Sequence, residues 1–169
     1  MKRLLHSLPL AAALLAPLAA LAEPSAIYLV RHAEKAATGK DPELTAEGQA
    51  RARNIAAILQ HTGITHVFST PYVRTRQTAQ PLAQRNALAV ETYDPREPKA
   101  LVDRVRALSG AVLVVGHSNT VLELVRLFGG TPGADIADDE YDRLYQLAPA
   151  AGGAVATVRL TSLPPSAAH

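Results

Sequence analysis

Short apolar runs alternate with amphipathic stretches along most of the chain. Ile27-Tyr28-Leu29-Val30 is continuously apolar, the pattern of a strand buried on both faces. Thr45 reads as an N-cap with Glu47 in the first turn. A helix is therefore expected to about Gln60, with Ala50, Ile55, Ile58 and Leu59 apolar and Gly63 as its stop. Further strands are expected at 64–68, 88–92 and 111–115, the last being the most apolar run of the domain. Helices are expected at 74–85, 98–108 (Pro98 in its first turn) and 119–128. Two late strands, 143–147 and 155–160, flank a Gly152-Gly153 turn. Strand–helix alternation of this kind predicts an α/β fold: a three-layer α/β/α sandwich with a mostly parallel central sheet.

The first 22 residues break this pattern. Lys2 and Arg3 precede an apolar stretch from Leu8 to Leu18, and Ala20-Leu21-Ala22 forms an A-x-A site before Glu23. That layout is a secretory signal peptide, and cleavage after Ala22 is expected. The competing reading is an uncleaved anchor, but Pro9 and Pro17 leave an uninterrupted run shorter than the roughly 20 residues a spanning helix needs. The expected organisation is a signal peptide at 1–22, one domain at 23–163 and a frayed tail at 164–169. The expected location is the periplasm or the exterior, with no membrane contact after cleavage.

Composition changes the picture in two places. The whole chain carries a formal charge of +2, which suggests nucleic acid. Without Lys2 and Arg3 the basic and acidic residues balance, and that suggestion loses its basis. The absence of cysteine excludes disulfide frameworks, thiolate metal sites and cysteine nucleophiles. Six histidines show no H-x-x-x-H spacing, so no metal site is expected.

Active sites of parallel α/β sheets lie beyond the carboxyl ends of the strands. Arg31-His32-Ala33-Glu34 follows the first strand, Ser69-Thr70-Pro71-Tyr72-Val73-Arg74 the second, and Gly116-His117-Ser118-Asn119 the strongest. Two histidines and two arginines thus converge on one sheet edge. Arginine forks match phosphate geometry, helix N-termini present free N–H groups to anions, and neutral imidazole is a competent nucleophile. Phosphoryl chemistry on histidine is the expectation. His61 and His66 have no partner motif and read as structural. Arg51, Arg53, Arg104 and Arg106 read as solvated helix faces, Arg76 as either helix surface or pocket rim, and Tyr141 and Tyr145 as late-strand core.

LVRHAE, STPYVRTRQTA and VVGHSNTV, each after a strand and with LTAEG between the first two, resemble the histidine phosphatase (phosphoglycerate mutase-like) superfamily, here a small exported branch, from about Ile27 to Leu160. The resemblance implies that His32 is the nucleophile that becomes phosphohistidine. It implies that Arg31 and Arg74 hold the phosphate oxygens and that His117 completes the pocket. Ser118, beside His117, joins the substrate-binding set. Thr38 stands where many members carry Asn. The block that usually supplies the general acid is missing: the region reads ETYDPREPKA, which makes Asp94 and Glu97 candidates, with Glu34 and the Asp138-Asp139-Glu140 cluster behind them. Glu34 is read first as an orienting residue. The expected protein is an exported, metal-independent, cofactor-free phosphatase acting on a small phosphate monoester, a phosphoprotein or phosphohistidine. Two alternatives stand beside it: an exported phospho-ligand binding protein without turnover, and a phosphomutase.

Overall fold

Every residue of β1 (Ala26–Arg31) is buried, and so is every residue of β4 (Ala111–Gly116). These two strands pair in parallel at the centre of the sheet. A computed structural model describes residues 23–163; the expected signal peptide and tail lie outside the described residues. The other strands are β2 (Ile64–Ser69), β3 (Val90–Thr92), β5 (Arg143–Pro149) and β6 (Val155–Thr161). The helices are α1 (Ala46–Leu59), α2 (Val73–Arg85), α3 (Pro98–Arg106) and α4 (Ser118–Leu127).

The sheet order is β3-β2-β4-β1-β5-β6. The first four strands of that order run parallel, while β5 is antiparallel to β1 and forms a hairpin with β6. Side chains alternate across the central strands. Ile27, Leu29, Val112 and Val114 pack with α3 and α4 on one face, while Tyr28, Val30, Leu113 and Val115 pack with α1 and α2 on the other. The three-layer α/β sandwich is therefore present. Among the described residues no helix is long and apolar enough to cross a membrane.

Local chemistry explains the element ends. Thr45 Oγ1 accepts from the Gly48 N–H at 3.1 Å, which satisfies one of the free amides that open α1. A Cβ at Gly48 would collide with the Glu34 carbonyl oxygen, so this helix can approach the loop after β1 only through glycine. Two elements are shorter than their patterns predict. The strand expected from 88 begins at Val90, because Leu88 N–H still donates to Ala83 O across the turn leaving α2. The helix expected to 108 ends at Arg106, where Ala107 and Leu108 donate to carbonyls only three residues back.

Candidate active site

Arg31 and Gly116 are register partners, so the residues after them, His32 and His117, leave adjacent parallel strands side by side. Their ring centroids are 5.5 Å apart. The His32 backbone N–H donates to Gly116 O at 2.9 Å, which extends the strand pairing one residue into the site. His32 Nδ1 lies 2.8 Å from Ala33 O. A carbonyl can only accept, so Nδ1 carries the proton and Nε2 keeps its lone pair. His117 Nε2 lies 3.2 Å from Thr70 Oγ1, which is 2.8 Å from Thr75 Oγ1. The Thr120 hydroxyl accepts from the His117 N–H at 2.8 Å and anchors the start of α4.

The two arginines are held differently. Arg31, buried at the end of β1, donates from Nη1 to Ala137 O (2.7 Å) and Glu140 O (3.0 Å) and lies over the Tyr141 ring at 4.4 Å. Arg74, in the first turn of α2, lies over the Tyr72 ring at 4.6 Å and meets Asp41 at 3.4 Å. Both Asp41 oxygens also accept from the Val73 N–H at 3.1 Å. The Nε atoms of Arg31 and Arg74 are buried, and among the described residues no acceptor meets them. Buried N–H groups of charged side chains are costly without a partner, so these two donors define a place for an anion.

The imidazoles face this positive charge. Burial is the largest cause that lowers His32 to about 3; Arg31, His117 and Arg74 add to it, and the bond to Ala33 O acts the other way. Burial, then Arg74 and Arg31, lower His117 to about 4. Both rings are neutral near pH 7. The site offers a neutral nitrogen nucleophile, a second imidazole and two guanidinium groups around one anion position.

The sequence profile of the histidine phosphatase superfamily (branch 1) matches residues 27–95, which contain His32, Arg31 and Arg74. The chain is 33% identical over 126 residues to the probable phosphoglycerate mutase GpmB of Citrobacter koseri, covering 68% of this chain and 54% of that protein. It is 42% identical over 104 residues to GpmB of Escherichia coli, covering 57% and 44%. By these matches the chain is similar to the histidine phosphatase superfamily. It spans about half the length of the curated relatives it matches. Solved structures of similar fold include SixA of Agrobacterium tumefaciens, assigned as a phosphohistidine phosphatase (TM-score 0.60, 21% identity, 82% of this chain and 99% of that one). Another is a mycobacterial glucosyl-3-phosphoglycerate phosphatase (TM-score 0.59, 13% identity, 81% and 97%).

Among the described residues Arg31, His32, Arg74 and His117 come together, and Ser118 stands beside them as the first residue of α4. Thr38 is exposed in the loop after β1. Two acid candidates lie in ion pairs. Glu34 is held by Arg51, whose Nε donates to both carboxylate oxygens at 2.9 and 3.0 Å, an arrangement in keeping with an orienting residue. Asp94 accepts three hydrogen bonds from Arg96, which lower it to about 2, so in the ligand-free protein its carboxylate is ionised near neutral pH. Arg51 departs from expectation: its side chain is fully buried and not on a solvated face. Tyr145 is core as expected, but Tyr141 packs on Arg31 and lies 6.0 Å from His32. Asp41, Tyr72 and Thr70 were not singled out by sequence. The signal for the last two was their place in STPYVR, between a strand end and Arg74.

Proposed function

We propose that the protein is an exported, metal-independent phosphohydrolase that works through a phosphohistidine on His32. The observation that carries this reading is the pair of buried guanidinium Nε donors, met by no acceptor among the described residues, beside two neutral imidazoles. The phosphoryl group binds between Arg31 and Arg74, and His32 Nε2 attacks phosphorus as the bond to the leaving group breaks. Charge on the transferring oxygens is met by both guanidinium groups and by His117. A bound dianion opposes the field that lowers His117 and raises it toward protonation, which lets it donate to a phosphoryl oxygen. In the second step water attacks phosphorus, the N–P bond breaks, and phosphate and neutral His32 are released.

With Asp94 and Glu34 engaged elsewhere, the preferred substrates are those whose leaving group departs without a strong acid. These are aryl phosphates and nitrogen-linked phosphates such as phosphohistidine, in a small molecule or a protein. The resemblance to GpmB favours a mutase as the second reading, which requires a phosphoenzyme that outlives the leaving group and returns phosphate to a second hydroxyl. Export rests on the 1–22 pattern. Mass spectrometry of periplasmic protein should then find an N-terminus at Glu23, and full-length protein in the membrane fraction would refute it.

The deciding experiment is hydrolysis of 4-nitrophenyl phosphate in EDTA. Turnover is expected, with a phosphoenzyme trapped by rapid denaturation at alkaline pH. His32→Ala should abolish both, and Arg74→Ala should raise KM and lower kcat. Activity lost in chelator and restored by a divalent ion would overturn the mechanism. Phosphate binding without turnover would favour the binding-protein alternative.

A further inference from the structure

We propose that the groove beside Tyr72 is a leaving-group subsite that selects phosphates of uncharged, ring-bearing groups. The inference rests on the phosphohydrolase reading and adds the chemistry of the group that departs. The groove holds about 480 Å³ and is walled by Pro71, Tyr72, Tyr93 and Pro95, with Asp94 and Arg96 at its rim. That volume lies within the range of small-molecule clefts.

Tyr72 joins this groove to the phosphoryl pocket. The same ring that lines the groove lies 5.3 Å from the His117 ring, edge to face, and carries the Arg74 guanidinium at 4.6 Å. Tyr93 continues the wall toward the histidines, its hydroxyl donating to Val115 O at the end of β4. A phosphoryl group held by Arg74 therefore has the groove as its neighbour. The other large cavity, about 490 Å³ and lined by Pro24, Ile27, Phe128 and Leu147, opens at the far end of β1 and cannot receive a group attached to that phosphorus.

The wall sets the chemistry. Tyr72, which is exposed, and the flanking prolines present flat apolar surface suited to a ring, which stacks on an aromatic face. The carboxylates nearby each have an arginine partner. Arg96 donates twice from its side chain to Asp94, at 2.7 and 3.0 Å, and Arg74 meets Asp41. A leaving group bearing a carboxylate or a second phosphate would bring its charge up to Asp94 and Asp41, while Arg74 is taken by the phosphoryl group itself.

Three phosphonates test this, because each presents the same head group and none can be cleaved. Dissociation constants for methylphosphonate, benzylphosphonate and phosphonoacetate are read from the His32 and His117 ring resonances of the full protein. Benzylphosphonate should bind about three- to tenfold more tightly than methylphosphonate, and phosphonoacetate no more tightly than methylphosphonate. Tyr72→Ala should bring the benzyl-to-methyl ratio near one, whereas Tyr72→Phe should keep it. The ratio cancels any change transmitted through Arg74. In the wild-type protein, transferred magnetisation should run from the Tyr72 ring to the benzyl protons, a readout that needs no variant. A wild-type ratio of one, a ratio that survives Tyr72→Ala, or tighter binding of phosphonoacetate than of benzylphosphonate would overturn the subsite while leaving the phosphoryl pocket in place. Failure of methylphosphonate and inorganic phosphate to bind at all would overturn the phosphohydrolase reading and the subsite with it.

Discussion

A buried imidazole beside two arginines, one buried and one half-buried, gives up its proton early, and this decides which form of His32 a substrate meets. The ring is lowered to about 3 and His117 to about 4, against 6.5 for ordinary histidine. In a nuclear magnetic resonance titration of the ligand-free protein, both rings should stay neutral down to about pH 5. Adding phosphate should raise both midpoints, because the dianion offsets Arg31 and Arg74. A midpoint near 6.5 for His32 without ligand would contradict its burial. Thr70 acts on the second ring through orientation. Thr70→Val removes the partner at 3.2 Å and should lower kcat about two- to tenfold, the range of one neutral hydrogen bond, with KM little changed. An effect on KM alone would show that Thr70 does not orient His117.

At the level of elements, one ion pair fixes the segment that follows the nucleophile. Arg51 projects from α1 with its side chain fully buried; it holds Glu34, two residues beyond His32, and donates to Ser162 O and Oγ at 3.2 Å. Removing one partner of a buried pair leaves an uncompensated charge, at a cost of about 3–5 kcal/mol. Arg51→Ala should lose stability of that order in urea unfolding, and Arg51→Lys should recover little of it, since one ammonium cannot span the same acceptors. The chain pattern could not reveal this clasp. Helical periodicity registers apolar faces, and Arg51 is buried by partners 17 and 111 residues away. The arginines and histidines of the pocket were legible for the opposite reason: Arg31, His32 and His117 stand at or just beyond the carboxyl end of an apolar strand, and Arg74 opens the helix that follows one. Tyr141 reaches Arg31 only through the loop before β5, and no local pattern records such a contact.

For the whole molecule, the lowered histidines tie stability to pH. Between about pH 3 and 6.5 the unfolded chain binds protons that the folded one refuses, so stability rises with pH across that window and levels off above it. His32, the more buried ring, contributes at most about 1.4 kcal/mol per pH unit, and His117, more open to water, contributes less. The urea midpoint should therefore fall between pH 7 and pH 4.5, and His32→Asn should narrow the difference. An unchanged difference would assign the acid sensitivity to other groups.

The sheet also gives the domain two poles. Ser25 N–H bonds to Gly110 O at the pole where β1 begins, while Ser162 is fastened to Asp142 and Arg51 at the pole where β1 ends. A tether attached ahead of Pro24, whether lipid, carrier protein or resin, thus grips the molecule by the end away from the histidines and leaves their mouth facing outward. A tether attached after Leu163 departs instead from the flank of α1, where the Leu163 N–H bonds to Asn54 at 2.7 Å.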